Sequence, residues 1–305
     1  MTKLKKKALI IGFGSIGQKH AKILQASKKI SDVYILTKQK CKKFKKIKNI
    51  SEIKNINPDY IVIASKTSEH FKHLSYLEKN FKKKLILIEK PLFNKSIKIK
   101  NINNKIFVGY NLRFHPVIQF IKEYLANKKP FLANANCTSY LPNWRKNINY
   151  ENSNSAKKSS GGGALLELSH ELDYLNWIFK ITKLKYAYLK KISNLKINTE
   201  DFVTILGESK EIKLIINLNY LSLNLERTIV IDGNGFSLKG DLINYSIKIL
   251  EKNKKRVINF QKIKDLTYKK QHDFILNKKH KNLCSYLEGI KLMKIIENIK
   301  NFKNT

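Results

Sequence analysis

No apolar stretch of this 305-residue chain approaches the length of a membrane-spanning helix. Such a helix needs roughly 20 consecutive, mostly apolar residues. Four lysines in residues 3–7 precede the apolar residues 8–11, as in a signal peptide, but glycines interrupt the run at once and no small-residue cleavage site follows. We therefore expect neither a signal peptide nor a membrane segment, and we interpret residues 7–11 as a first β-strand.

Cysteine is equally scarce. The three cysteines, Cys41, Cys137 and Cys284, lie far apart in the sequence and are odd in number. Their spacing matches neither a zinc site nor a disulfide framework. The sequence therefore predicts no metal site and a reducing compartment, the cytoplasm.

Arginine and acidic residues are also few. Only four of the 61 basic residues are arginine, against 23 acidic residues, and the formal net charge is +38. A charge of this size attracts polyanions. Arginine, which forms bidentate hydrogen bonds with phosphate and guanine, is nevertheless rare in this sequence. The lysines are spread along the whole chain. We therefore expect a solvated basic surface that attracts anionic ligands, with no specific nucleic-acid partner.

The first third of the chain alternates between short apolar runs and amphipathic segments. This alternation is typical of a doubly wound α/β fold with a parallel sheet. The predicted strands are residues 7–11, 33–36, 60–64, 85–88 and 106–108, and the predicted helices are residues 15–26 and 70–80. We expect a first domain over residues 1–115.

The remaining residues, 116–305, predict a second α/β domain with a large, open and mostly antiparallel sheet. Its strands are expected to form a meander, and one sheet face needs a cover, so a homodimer or homotetramer through that sheet is expected. The predicted helices are residues 117–125, 165–179 and 283–299, and the predicted strands are residues 202–206, 212–218, 227–231 and 245–250.

A glycine motif, G-F-G-S-I-G, occupies residues 12–17 between the first predicted strand and the first predicted helix. In the dinucleotide-binding fingerprint, Gly12 makes the tight turn, Gly14 admits the pyrophosphate and Gly17 lets the helix pack closely. This context predicts a Rossmann domain that binds NAD or NADP. The usual position of the ribose-binding acid holds Thr37 and Lys38, neither of which repels a 2′-phosphate, so the choice between the two cofactors stays open.

Five segments, in this order and spacing, resemble the glucose–fructose oxidoreductase / inositol dehydrogenase family, Gfo/Idh/MocA. They read GFGSIGQKH (residues 12–20), ASKTSEH (64–70), EKP (89–91), GYNLRFHP (109–116) and GGGALLELSHELDYLNWIFK (161–180). The resemblance implies an oxidoreductase that moves a hydride between a nicotinamide cofactor and a secondary alcohol or ketone. Residues 144–156 are similar to members that act on sugars and sugar nucleotides of bacterial surface glycans.

The resemblance also implies the catalytic residues. Lys90 would touch the hydroxyl being oxidised, and His170 would share the proton chemistry with Asp173 as its support, since positions three apart lie on one helix face. The alternatives are that Lys90 is an ordinary surface lysine and that Asp173 is only structural. Many members carry an aspartate four residues before the histidine, whereas Glu167 stands three before it here, which leaves the role of Glu167 open.

The other predicted contacts follow from the same segments. Arg113 is as compatible with a structural ion pair between the two domains as with substrate binding, and His20, His70 and His73 are expected to take no part in the chemistry itself. His272 and His280 show no metal-site pattern. The predicted cofactor residues are Gly12, Phe13, Gly14, Ser15, Ile16, Gly17, Thr37, Lys38, Ser65, Thr67, His70, Glu89 and Lys90, and the predicted substrate residues are Lys90, Asn111, Arg113, Trp144, Arg145 and His170.

Two other functional classes compete with the enzyme. A non-catalytic, dinucleotide-binding regulator would keep the fold, but it would need neither Lys90 nor His170. A nucleic-acid binder would be expected to carry interleaved arginine and aromatic residues, and the sequence has no such stripe.

Overall fold

The computed structural model describes residues 4–145, 148–210, 212–252 and 254–303. Within these ranges the chain forms two compact units. The first holds the residues up to Asn111 together with Thr267–Met293, and the second holds Leu112–Leu266 together with the residues from Lys294 onward. No helix in the described ranges is long and apolar enough to cross a lipid bilayer.

A single sheet forms the core of the first unit. Its strands are β1 (Lys6–Ile11), β2 (Ile30–Leu36), β3 (Lys45–Ile47), β4 (Tyr60–Ile63), β5 (Leu85–Ile88), β6 (Lys105–Val108) and β15 (Cys284–Ser285). Their order is β15-β6-β5-β4-β1-β2-β3, and every neighbouring pair is parallel except β15 with β6. The predicted doubly wound parallel sheet is confirmed.

Helices connect these strands, as the alternating pattern predicts. Every residue of β4 is fully buried, which is why this strand is a continuous apolar run and not an alternating one. The helices that follow β1, β3 and β4 are α1 (Ser15–Gln25), α2 (Ile53–Ile56) and α3 (His70–Asn80), and the C-terminal helices are α7 (Leu266–Leu276) and α8 (Tyr286–Lys300).

The division of the chain differs from the expected single boundary after residue 115. Residues 267–293 belong to the first unit, where β15 pairs with β6 and the Gln271 side chain donates to the carbonyl oxygen of Val108. The sequence does not show this return, because α7 buries the polar residues Gln271 and His272 and so lacks a clear apolar stripe. A strand of two residues, β15, has no periodicity to detect.

The second unit is built on an eight-stranded sheet. Its strands are β7 (Pro130–Thr138), β8 (Lys183–Lys190), β9 (Phe202–Ser209), β10 (Ile212–Asn219), β11 (Glu226–Gly233), β12 (Phe236–Asp241), β13 (Ser246–Glu251) and β14 (Lys254–Asn259). The order is β14-β13-β12-β11-β7-β10-β9-β8, and only the pair β7–β10 is parallel. The predicted large, mostly antiparallel sheet is confirmed.

The predicted simple meander is wrong, because β7 enters between β11 and β10. This strand was missed in the sequence because its buried positions are the small residues Ala133, Ala135 and Cys137, which alternate with polar ones. Between Phe131 and Thr138, neither side of that alternation carries the β-branched or aromatic residues that mark a strand.

The predicted helix over residues 165–179 is also divided. The structure has α5 (Ala164–Glu167) and α6 (His170–Phe179), and an earlier helix, α4 (Pro116–Tyr124), lies where expected. Between α5 and α6, the Ser169 hydroxyl donates to the Leu166 carbonyl oxygen at 2.8 Å. A side chain that takes up a helix carbonyl in this way competes with the backbone ladder. His170 therefore begins a helix and does not lie in the middle of one.

His115 provides a test of the packing around α4. Its Nδ1 accepts a hydrogen bond from the Val117 N–H at 3.3 Å, so the ring must keep a lone pair there. Burial, helped by the charge of Arg227, lowers the pKa of His115 to about 4. A free histidine has a pKa of about 6.5, so between these values the unfolded chain binds more protons than the folded one.

We expect the second unit to lose stability as the pH falls from about 6.5 to 4, by up to about 3 kcal/mol from this one residue. The His115→Asn variant, which keeps a cap acceptor but does not titrate, should show a weaker pH dependence. Urea unfolding followed by tryptophan fluorescence measures this, because Trp144 and Trp177 both lie in the second unit. Equal pH dependence in parent and variant would contradict the prediction.

Candidate functional site

The loop after β1 is held against the backbone that follows β4. Gly12 has a φ of +98°, and a Cβ placed there would lie 2.6 Å from the carbonyl oxygen of Ala64. A Cβ on Gly17, in the first turn of α1, would collide with the carbonyl oxygen of Gly12. Both positions therefore require glycine, as the fingerprint predicts.

Gly14 is different, because its missing side chain would face open space. A Cβ there would have no heavy atom of the described chain within 4 Å, and the backbone angles, φ −67° and ψ −173°, suit any residue. Helix α1 starts at the next residue, Ser15, with no acidic residue in its first turn and no side-chain cap in the described chain. Its first N–H groups are left for an anion, so the pyrophosphate of a dinucleotide fits here.

The strand order places this loop where doubly wound sheets bind ligands. β1 lies between β4 and β2, so the order of the sheet reverses between β1 and β4. Ligands bind at the carboxyl ends of the strands at such a switch point. Ser65 and Thr67, which follow β4, are partly exposed, and the Ser65 hydroxyl is 2.9 Å from Nδ1 of His73.

His70 is not placed to contact a cofactor, which corrects the prediction. It is 1% exposed, its Nε2 lies 3.2 Å from the Ser65 carbonyl oxygen, and its Nδ1 lies 3.1 Å from that of Pro91. The imidazole thereby ties the turn after β4 to the turn after β5. Its role is to hold two loops of the site together.

The expected ribose position carries no carboxylate. Thr37 directly follows β2, and its hydroxyl accepts from the Gln39 N–H at 3.1 Å, while Lys38 is exposed. The nearest acid in the strand, Asp32, is 2.6 Å from the Lys45 ammonium, and this contact lowers the pKa of Asp32. The open choice between NAD and NADP therefore persists in the structure.

Glu89 and Lys90 follow β5 at the same edge of the sheet. Glu89 is buried, its Oε1 lies 2.8 Å from Nε2 of His20, and its Oε2 accepts from the Lys90 N–H at 3.3 Å. The prediction that Glu89 contacts the cofactor is therefore corrected, because the carboxylate points into the protein. Lys90 itself is half-buried and precedes Pro91 through a cis peptide bond.

Arg113 and Asp173 form a buried ion pair within the second unit. The guanidinium Nε lies 2.9 Å from Oδ2 of Asp173 and Nη2 lies 2.7 Å from Oδ1. The two side chains are 2% and 3% exposed. The expected alternative for Arg113, an ion pair between the domains, differs from this pair, because both partners belong to the second unit. Asp173 lies in the first turn of α6, and its two oxygens accept from Arg113.

The other predicted substrate residues divide into two groups. Asn111 is 4% exposed and donates to the Thr267 hydroxyl at 2.9 Å, so its predicted substrate contact is corrected to a structural one. Trp144 is partly exposed and donates through Nε1 to the Ser139 hydroxyl at 2.9 Å, and Arg145 next to it is exposed. Both line a shallow cleft with Tyr150.

Glu167 and His170 lie on either side of the break between the two helices. The Glu167 carboxylate accepts from the Ser155 hydroxyl at 3.0 Å, which ties α5 to the preceding loop. His170 is 9% exposed at the first position of α6. In the described residues, no group of three or more His, Cys, Asp or Glu side chains could hold a metal ion.

Sequence analysis missed the partners of Glu89. His20 on α1, His272 on α7 and Tyr60 on β4 form a continuous buried contact chain with it. His20 falls within the GFGSIGQKH segment, which is a usable signal. His272 and Tyr60 carry no local signal, since only the fold brings their distant segments together.

The comparisons with known proteins agree with this architecture. Residues 6–104 match the model described as "Oxidoreductase family, NAD-binding Rossmann fold", GFO_IDH_MocA. No curated protein matches the chain. A glycine loop at the switch point of a parallel sheet defines a dinucleotide-binding domain, and the match over residues 6–104 identifies this part of the chain as an NAD-binding Rossmann domain of the oxidoreductase type.

Similar solved structures share the fold over nearly the whole chain. The UDP-N-acetylglucosamine 3-dehydrogenase GnnA from Acidithiobacillus ferrooxidans is 14% identical with a TM-score of 0.79, covering 97% of both chains. The WlbA dehydrogenase from Bordetella pertussis, in complex with NADH and UDP-GlcNAcA, is 18% identical with a TM-score of 0.77, covering 97% of this chain and 95% of that one. A levoglucosan dehydrogenase in complex with NADH is 16% identical with a TM-score of 0.82, covering 96% and 95%.

The open space at Gly14 leads to a prediction about cofactor binding. The Gly14→Val variant should fold normally, with a change in unfolding free energy within about 0.5 kcal/mol, because nothing in the chain meets the new side chain. It should lose NADH binding, measured by the fluorescence of NADH, because the valine occupies the place of the pyrophosphate. Gly17→Val is the contrasting variant and should destabilise the fold, because its side chain would collide with the carbonyl oxygen of Gly12. Parent-like NADH affinity in Gly14→Val would refute the assignment of the loop.

The absence of a carboxylate after β2 leads to a second prediction about cofactor binding. NADPH should bind with an affinity within about a hundredfold of that of NADH, which corresponds to less than about 2.7 kcal/mol. Parallel fluorescence titrations of both cofactors measure the ratio, and Lys38→Ala shows whether this lysine contacts the 2′-phosphate. A larger preference for NADH would mean that another group rejects the phosphate.

Proposed function

We propose that this protein catalyses hydride transfer between NAD(P) and a secondary alcohol or ketone of a sugar or sugar nucleotide. The observation that carries the proposal is the position of Lys90. It follows β5 at the carboxyl edge of the sheet, the same edge at which Gly12–Gly17 follows β1. When bound, the nicotinamide supplies the acceptor or donor for the hydride. The residues of the chain have to supply the proton chemistry.

Lys90 is suited to that task. A hydroxyl that loses a hydride from its carbon must also lose its proton, and a positioned acid or base typically accelerates such a step about 10²–10⁴-fold. The half-buried Lys90 ammonium can stabilise an alkoxide and exchange a proton with it. His170 is the second candidate, which the family resemblance implies and its place at the start of α6 supports.

Asp173 enters the proposal in a changed role. The predicted direct support of His170 is replaced by support through the helix, since the Asp173 carboxylate holds the buried Arg113. Breaking a buried ion pair of this kind costs about 3–5 kcal/mol, because the remaining charge stays buried without its partner. The pair therefore keeps the first turn of α6, and with it His170, in one position.

The substrate class is supported by charge and by likeness. A formal charge of +38 favours anionic ligands, and sugar nucleotides carry a diphosphate. Two of the similar structures are named for, or hold, a UDP-linked amino sugar. We therefore propose a sugar nucleotide before a free sugar, with Trp144 and Arg145 at the cleft as candidates to contact it.

We further propose a homodimer or homotetramer that forms through the open sheet of the second unit. The face away from α4, α5 and α6 carries Tyr186, Leu206 and Ile215 in one row across β8, β9 and β10. Leu206 is 38% exposed and Tyr186 is 40% exposed, which supports a covered surface. None of the three cysteines forms a disulfide in the described chain, which supports the cytoplasm as the compartment.

Lys90→Met and His170→Ala should each lower turnover about 10²–10⁴-fold while NADH binding stays nearly unchanged, because neither residue holds the pyrophosphate. The assay follows NADH absorbance with NAD⁺ and a panel of UDP-sugars that includes UDP-N-acetylglucosamine and its uronic acid. Lys79→Met, an exposed lysine on α3, and His280→Ala are matched controls that should keep full turnover. The double variant should lose less than the product of the single losses if one proton path is shared.

Normal turnover in Lys90→Met, on a substrate that the parent accepts, would refute the catalytic role of Lys90. A parent protein that binds NADH tightly but oxidises no sugar or sugar nucleotide would favour the other functional class, a non-catalytic dinucleotide-binding regulator.

A further inference from the structure

Four buried polar side chains from four different elements form one continuous hydrogen-bonded chain in the first unit. The Tyr60 hydroxyl on β4 lies 2.8 Å from Nδ1 of His272 on α7. Nε2 of His272 lies 2.8 Å from Nδ1 of His20 on α1, and Nε2 of His20 lies 2.8 Å from Oε1 of Glu89. Tyr60 and His20 are 0% exposed, His272 is 2% exposed and Glu89 is 8% exposed.

One assignment of protons satisfies every atom of this chain. An ionised carboxylate only accepts, so His20 must donate to it through Nε2. A neutral His20 then accepts at Nδ1, which makes Nε2 of His272 the next donor, and a neutral His272 accepts at Nδ1 from the Tyr60 hydroxyl. All three donors therefore point the same way, towards Glu89.

The surroundings favour the neutral forms of His272 and Tyr60. Burial places the pKa of His272 well below its ordinary value. Burial, with the charge of Glu89, places the pKa of Tyr60 well above its ordinary value. The chain of hydrogen bonds directed towards Glu89 requires a protonated Tyr60 and a neutral His272.

The role of the hydrogen-bonded chain depends on its end at Tyr60. Tyr60 is fully buried, so the chain has no contact with water at that end and cannot carry protons to or from solvent. The three hydrogen bonds of this chain are all directed towards the Glu89 carboxylate. Because the carboxylate is buried, away from bulk water, these bonds strengthen one another. Gly109 leaves the room for that carboxylate, since a Cβ there would lie 2.9 Å from Oε1 of Glu89.

We infer that Tyr60, His272 and His20 are positioning residues, which hold Glu89 as a fixed, ionised carboxylate beside Lys90. The other carboxylate oxygen of Glu89 accepts from the Lys90 N–H at 3.3 Å, so a fixed Glu89 fixes the backbone from which the Lys90 side chain extends. The inference rests on the proposed catalytic role of Lys90. It also gives a function to the return of residues 267–293 to the first unit, since that return brings His272 into the chain.

The first experiment needs no substrate. The full-length protein is labelled with ¹⁵N-histidine, and two-dimensional ¹H–¹⁵N spectra report the protonation state of each of the seven imidazoles. His20→Gln and His272→Gln assign the two signals. We expect both rings to be neutral with the proton on Nε2 at pH 7. A proton on Nδ1 of either ring, or a doubly protonated ring, would overturn the inference.

The second experiment separates positioning from general stability. Tyr60→Phe removes the first donor of the chain, and the matched control Tyr286→Phe removes a buried hydroxyl of the same unit that accepts from the Ile99 N–H at 2.7 Å. With the sugar-nucleotide assay, Tyr60→Phe should lower kcat about tenfold, the kinetic equivalent of about 1.4 kcal/mol, with KM for NAD⁺ unchanged. Tyr286→Phe should keep the kcat of the parent.

Glu89→Gln completes the set, because it keeps an acceptor for His20 and removes only the charge. We expect the two histidines to keep their Nε2 protons in this variant while kcat falls further than in Tyr60→Phe. Equal kcat in Tyr60→Phe, Tyr286→Phe and the parent would overturn the positioning role. If the parent turns over no substrate, the proposed function fails, whereas the histidine spectra still support or overturn the directed chain.

Discussion

The contact between two backbone segments, the loop after β1 and the turn after β4, is the constraint on which the first unit depends. Gly12 and Gly17 lack side chains at the two points where this contact and the seating of α1 leave no room. Because the sheet order reverses between β1 and β4, this contact lies at the position where doubly wound folds bind dinucleotides. Ser65 and Lys90 belong to the same edge, since parallel strands bring their carboxyl ends together. The site is thus a consequence of strand order and of close packing.

Several of the buried polar side chains among the predicted site residues bind other groups of the chain. Glu89 contacts His20, Arg113 pairs with Asp173, and His70 lies between backbone carbonyls. Burying a charge destabilises the folded state, and the attraction within an ion pair seldom fully offsets this desolvation. Removing one partner is more destabilising still, because the other charge stays buried alone. Such groups therefore restrict the local structure to one arrangement. That restriction would keep the proposed catalytic residue Lys90 in one position.

The C-terminal segment makes the first unit depend on a distant part of the chain. β15 adds a strand beside β6, and α7 contributes His272 to the interior. Thr267 on the same helix accepts the Asn111 side chain. The nucleotide-binding unit is consequently assembled from the N-terminal part of the chain and from residues 267–293, and its buried polar chain is complete only after residues 267–293 have packed. The glycine loop, by contrast, is formed entirely from local sequence and the neighbouring strand.

The sequence by itself determined the class of the fold and the cofactor loop, because both rest on local patterns: apolar runs of strand length, helical periodicity, and glycines whose spacing meets a steric need. It also identified the segment that contains Lys90. Only the tertiary structure decided which of the predicted contact residues are buried against partners within the protein. Glu89, Arg113 and Asn111 have the chemistry of ligand contacts, but burial and partners from distant segments commit them to the protein interior. His272, Tyr60 and β7 were beyond sequence analysis for the same reason, since their neighbours are set by packing and by strand order, which no local pattern encodes.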